Sequence, residues 1–224
     1  MSTQLERFIE ISTVVTPVAL VPELHLHLAR DSTGIFQRAA ELDIAGERFQ
    51  PFWAFAWPGG QALARYLLDQ PEIAAGKRVV DIGAGSGIAA IAAMRAGARH
   101  VLAADIDPMS EFAIRTNARS NNVAVDTTTR DILGDAIDAD LILIADLVYE
   151  PALATRVTAF LEAARAAGTE VLIADRTTAR KPPLAMSLIA EYAAPLTPDM
   201  HDLNLDKARL WRLEPPRTRR KSTP

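Results

Sequence analysis

Three acids stand at the ends of three apolar runs in this chain, and a glycine-rich turn follows the first. Val79 to Ile82 carries Asp81 and leads into Gly83, Gly85 and Gly87; the run from Val101 ends in Asp105; Asp131 follows the stretch Val123 to Thr129. An α/β chain builds a nucleoside-sized site in this way, at the carboxyl ends of neighbouring parallel strands.

The detail of the turn bears on which nucleoside. A dinucleotide fingerprint needs glycine at its first, third and sixth positions, the last for close packing of helix on strand. Here the sixth position is Ile88. Asp81 would repel a pyrophosphate but suits a donor that carries a sulfonium and an α-amino group. S-adenosylmethionine is therefore the expected cofactor. Gly83 and Gly85 free the turn for close approach of the ligand, Asp105 accepts from the ribose hydroxyls, and Asp131 accepts from the adenine amino group. Ile106 and Ile132, each directly after one of these acids, join the same donor-binding set. A plain strand-to-helix turn and a nicotinamide site stay open as other readings of the loop.

A second constellation closes the run Asp140 to Asp146, which reads as a central strand covered on both faces. Asp146, followed by Leu147, Val148, Tyr149 and Glu150, falls beside the nucleoside site. Asp146 and Tyr149 are the candidate catalytic pair, gripping a nitrogen nucleophile and aiming its lone pair at the donor methyl. Such in-line displacement depends on holding the reacting atoms about 3–3.5 Å apart. A lysine must arrive neutral, and a carboxylate raises an amine's pKa, so Asp146 is assigned to orientation and binding rather than proton abstraction. The plainer alternative has Asp146 capping the next helix and Tyr149 packing beneath it. Adenine-directed nucleic-acid methyltransferases place two prolines between the acid or amide and the tyrosine, where this chain has Leu147 and Val148.

These residues need an alternating framework. The expected strands are 78–82, 101–106, 123–129, 140–146 and 170–175, with helices near 59–68, 86–96, 108–121 and 151–167, which implies a parallel sheet with right-handed crossovers. Residues 182–192 read as a further helix and 207–213 as a last strand that pairs with the sheet edge. Residues 1–50 read as a strand-rich extension, with strands at 13–20 and 23–29, Gly34 and Gly46 marking turns. The expected domain is single, with a core over 51–216 and a basic tail over 217–224. The 224 residues are 49% hydrophobic and 23% charged, with a net charge of −4 and no cysteine. That composition excludes disulfides, thiolate zinc sites and cysteine nucleophiles, and argues against a general nucleic-acid surface. No signal-like start and no apolar run of bilayer length is visible, so a cytoplasmic setting without membrane partners is expected.

With the glycine loop, the segment Trp-Ala-Phe-Ala-Trp-Pro-Gly-Gly (Trp53 to Gly60) and Asp-Leu-Val-Tyr-Glu (Asp146 to Glu150), the chain resembles the bacterial branch of the electron transfer flavoprotein beta-subunit lysine methyltransferases. They belong to the seven-strand protein lysine methyltransferases. Matching features run from Phe8 to Leu213. The resemblance implies a doubly wound, Rossmann-like seven-strand sheet with its last strand antiparallel, and S-adenosylmethionine as donor. It implies lysines of the flavoprotein's beta subunit as substrate, with ribosomal proteins or a nicotinamide-like small molecule as the substrates of similar enzymes. Trp57 would lie against the donor. The family usually carries Gly-Asp-Pro-x-Arg after the fifth strand, whereas this chain has Ala174, Asp175, Arg176, Thr177 and Thr178, a departure on the substrate side.

Other features carry less. His25 and His27 share one strand face at the spacing of a metal grip, but no third ligand is arranged nearby, so a solvated face is expected and no metal site is assigned. Phe52, Trp53 and Phe55 read equally as core. Glu111 and Glu150 have no partner for two-carboxylate chemistry. Rival readings are a methyltransferase of small amines or pyridines, a donor-binding module without catalysis, and a nicotinamide-linked oxidoreductase.

Overall fold

The computed structural model describes residues 2–41, 50–147, 151–176, 183–196 and 207–216. Its framework is a seven-strand sheet. The strands that build it are β3 (Arg78–Ile82), β4 (His100–Ala104), β5 (Asp126–Thr128), β6 (Leu141–Ala145), β7 (Glu170–Arg176), β8 (Met186–Ala193) and β9 (Lys207–Leu213), in the order β5-β4-β3-β6-β7-β9-β8. The first five run parallel, and β9 runs antiparallel to both of its neighbours. Chain order reverses between β3 and β6, so the loops leaving these two strands diverge and open a crevice at their carboxyl ends.

Alternation along β3 sorts the packing. Val79 faces α3 (Pro58–Asp69), α4 (Ile88–Arg95) and α5 (Pro108–Ser120), whereas Val80 and Ile82 face α6 (Pro151–Ala167). Helices on both faces explain why β6 reads as an unbroken apolar run: Leu141, Ile142, Leu143 and Ile144 are all buried. In α3, Ala62, Leu63, Tyr66 and Leu67 are buried, as their spacing requires.

One expectation is corrected. The helix expected over 182–192 is not found among the described residues 183–192; the segment 186–193 is β8, the edge strand, paired with β9 through a register shift between Leu188 and Ala190. Pairing to a neighbouring strand overrides its helix-forming composition. The strand 207–213 pairs antiparallel with β7, the last of the parallel strands, as expected, and β8 adds beyond it; its two faces bury Leu210 and Trp211.

The N-terminal strands pair as expected: β1 (Thr13–Pro17) and β2 (His25–Ala29) form an antiparallel two-stranded sheet. The extension is not mainly strand, however. It also contains α1 (Ser2–Ser12) and α2 (Ser32–Glu41), the latter including Gly34, which was expected to mark a turn. Leu5, Phe8 and Ile9 on α1 and Ile35 and Ala39 on α2 pack with Trp53 and Phe55 in a separate cluster. His25 is exposed, while His27 is half-buried with its Nδ1 3.3 Å from Thr13 Oγ1. Gly46 and the basic tail lie outside the described residues. Among the described residues no helix is long and apolar enough to cross a membrane.

The central strand sets the stability of this arrangement. Leu143→Ala, at a fully buried position, is expected to lower unfolding free energy by about 2–5 kcal/mol in urea titrations, with little change in the slope.

Candidate active site

The glycine loop joins β3 to α4 and turns through three left-handed residues, Gly83 (φ 69°), Gly85 (φ 52°) and Gly87 (φ 80°). Backbone in this region strains any residue with a side chain. A Cβ on Gly83 would fall 2.7 Å from Leu147 Cδ1, whereas a Cβ on Gly85 would meet no protein atom nearer than 4.0 Å. Gly85 therefore presents bare backbone to open space. That space is a cleft of about 600 Å³.

The strand-end acids floor this cleft. Asp81 is only 2% exposed, and its Oδ2 accepts from the Ala90 amide at 3.0 Å in the first turn of α4. Gly87 offers that helix no side-chain cap, so an aspartate from the neighbouring strand supplies it. Asp105 accepts from Gly85 N at 2.8 Å and from Asp107 N at 2.9 Å. Asp107 caps α5 by accepting from Met109 N at 2.8 Å. Burial raises the pKa of all three: Asp81 to about 7, Asp107 to about 6, and Asp105 above its ordinary value, with the charge of Asp105 adding to the first two. Among the described residues none of the three forms a salt bridge.

Asp146 sits at the end of β6 with φ at 49°, a left-handed backbone rare for a residue with a side chain. Its Oδ2 accepts from Gly59 N at 2.7 Å and Gly60 N at 3.2 Å, the opening turn of α3. The helix it caps is thus one that precedes it in the chain, not the one that follows. Its own amide donates to Ala174 O at 3.0 Å. Asp175, at the end of β7, lies close enough to Asp146 for the two carboxyl groups to influence each other. Burial raises both, and the charge of Asp146 raises Asp175 further.

The sequence-assigned residues Trp57, Asp81, Gly83, Gly85, Asp105, Ile106, Asp131, Ile132 and Asp146 all line the one cleft. Ile106 is 72% exposed there, an apolar side chain left open at the mouth. Trp57 is fixed by an indole bond to Phe52 O at 2.9 Å and by ring contacts with Phe52 and Phe55. Trp53 and Phe55 are core residues that also line the cleft wall. Asp131 is exposed at the rim with both oxygens engaged: Oδ2 accepts from Arg156 Nη2 at 2.6 Å and Oδ1 from Leu133 N at 3.0 Å. The Arg156 bond lowers its pKa. Tyr149 and Glu150 lie outside the described residues, as do Thr177 and Thr178. Arg156 and Arg176, both lining the cleft, were not singled out from sequence; Arg156 reaches Asp131 across a fold contact with no sequence signature.

A glycine-loop cleft at the switch point of a β5-β4-β3-β6-β7-β9-β8 sheet defines a methyltransferase fold. The structure resembles a putative RNA methyltransferase from Pyrococcus horikoshii (TM-score 0.55, 13% identity, covering 82% of this chain and 98% of that one). It also resembles a ribosomal protein L11 methylase from Lactobacillus delbrueckii subsp. bulgaricus (TM-score 0.50, 22% identity, covering 70% and 78%). The family model for ribosomal protein L11 methyltransferase (PrmA) matches residues 61–174. The electron transfer flavoprotein beta subunit lysine methyltransferase of Xenopus laevis is 37% identical over 215 residues, covering 93% of this chain and 86% of that protein. Its Rattus norvegicus counterpart is 33% identical over 223 residues, covering 96% and 86%. The chain belongs to the electron transfer flavoprotein beta subunit lysine methyltransferase family, within the wider PrmA-like methyltransferases.

The sign of the Asp81 shift gives a test. Its folded pKa, about 7, exceeds the ordinary 3.8, so the unfolded chain gives up this proton first as pH rises. Stability without ligand should fall between about pH 4 and pH 7. In thermal melts Asp81→Asn should show a shallower decline over that range and gain on the parent chain toward pH 8.

Proposed function

We propose that this chain transfers a methyl group from S-adenosylmethionine to protein lysine side chains, and that its substrate is the beta subunit of electron transfer flavoprotein. One observation supports the donor assignment: Asp81, Asp105 and Asp107 line the cleft beside the bare backbone of Gly85 and, among the described residues, none of the three is paired with the arginines (Arg130, Arg156 and Arg176) that line it too. Buried carboxylates that cost free energy alone are stabilised by a cationic ligand. Asp81 and Asp105 would hold the donor's amino acid and ribose ends, with Trp57, Gly83, Ile106, Asp131 and Ile132 around them. When bound, the donor supplies an electrophilic methyl on a positively charged sulfur.

Everything else falls to the chain. Asp146, locked by two amides of α3, would orient the acceptor nitrogen. Burial and the charge of Asp146 raise Asp175, which favours its protonated form, so the pair would carry one negative charge. That single charge attracts an ammonium without holding it as firmly as two would. Tyr149 is assigned to the rim beside it. The names of the relatives support the flavoprotein subunit as substrate, and the net charge of −4 favours a protein over a nucleic acid. We place the activity in the cytoplasm, in one methyltransferase domain.

Intact-mass spectrometry of the flavoprotein beta subunit, incubated with enzyme and donor, should show added methyl groups on lysine. Asp146→Asn, which retains an acceptor for Gly59 and Gly60, should slow this about 100-fold while binding S-adenosylhomocysteine as the parent does. Unaltered turnover would remove Asp146 from the reaction. Methylation confined to nicotinamide-like amines or to a ribosomal protein would replace the substrate.

A further inference from the structure

One fully buried side chain joins the N-terminal hairpin to the glycine loop. Asn117 on α5 donates from Nδ2 to the Ser86 carbonyl at 2.8 Å and accepts at Oδ1 from the His27 amide at 2.7 Å. One turn further on, Asn121 accepts from the His25 amide at 3.0 Å and donates back to the His25 carbonyl at 2.7 Å. β1 occupies one edge of β2, so the two asparagines satisfy the other edge as the peptide groups of a third strand would. The spacing makes this possible. Four helical residues rise about 6 Å and two strand residues about 6.6 Å, so amides at i and i+4 of α5 meet alternate residues of β2.

At its other end this ladder grips the loop. Ser86 lies between Gly85, whose amide is held by Asp105, and Gly87 in the left-handed region. Flanked by two glycines, the Ser86 carbonyl has little of its own to fix its direction. Asp105 holds the loop at Gly85 and Asn117 holds it one residue later. None of the cleft-lining residues comes from β1 or β2.

We propose that Asn117 is a positioning residue through which the N-terminal hairpin braces the donor-binding loop, so that donor affinity depends on a segment the donor does not touch. This rests on the reading of the cleft as an S-adenosylmethionine site. Asn117→Asp keeps the acceptor for His27 but sets a carboxylate against the Ser86 carbonyl. Asn121→Ala weakens the hairpin and leaves the Ser86 bond in place. In calorimetry with S-adenosylhomocysteine, Asn117→Asp should bind about tenfold more weakly. Its KM for the donor should rise in parallel, with kcat at saturating donor within about twofold. Asn121→Ala should melt lower yet bind within about twofold of the parent.

Parent-like affinity in Asn117→Asp, or an equal loss in Asn121→Ala, overturns the proposal. A parent chain that does not bind S-adenosylhomocysteine overturns the proposed function and this inference with it. Should Asn117→Asp not fold, amide exchange on the parent decides. Saturating S-adenosylhomocysteine should slow the His27 amide more than the His25 amide, and equal or absent slowing overturns the coupling.

Discussion

A carboxylate taken out of water resists ionisation unless amides or cations take the place of its hydration. Asp81, Asp105, Asp107 and Asp146 are held by backbone amides at helix starts and in the glycine loop. Helix N-termini favour negative charge, but by a kcal/mol or so at most sites, which leaves the group only partly compensated. The raised pKa values of all four express that remainder. The same contacts that build the fold, capping α3, α4 and α5, thus concentrate negative charge where β3, β4 and β6 end. On the proposed reading, a cationic nucleoside would offset the part of this charge that the cleft's arginines leave unpaired.

What could be read from sequence followed from local physics. The strand 78–82 and the helix 151–167 match the structure at both ends, because apolar runs, the Gly83–Gly87 turn and Pro151 mark them without help from distant residues. The acids at 81 and 105 were placed by the same logic. Residues 186–193 were misread because nothing local separates a helix from a strand there; pairing with β9 decides it. Helices α1 and α2 were overlooked although Leu5, Phe8 and Ile9, and Ile35 and Ala39, recur at helical spacing.

The grouping of the site residues around one cleft was legible from sequence, and their contacts were less so. Each described residue assigned to it does face the cleft. Yet Asp146 was read as capping either the following helix or a substrate amine, and its carboxylate instead anchors Gly59 and Gly60, far back in the chain. The Trp-Pro-Gly-Gly segment therefore matters twice, for Trp57 against the cleft and for two amides on Asp146. Ala174 belongs to the same junction: its carbonyl accepts the Asp146 amide and leaves no room for a Cβ on Gly59, which would approach within 2.5 Å. The departure from the family pattern that begins at Ala174 thus touches the placement of Asp146 directly.

Proton release on binding tests the central claim most directly. A cation seated among acids of raised pKa must draw protons off them. Calorimetric titration near pH 7, in buffers of different ionisation enthalpy, should therefore show net proton release with S-adenosylmethionine and less with S-adenosylhomocysteine, which lacks the sulfonium charge. Binding of either compound without proton release, or preferential binding of a nicotinamide dinucleotide, would contradict it.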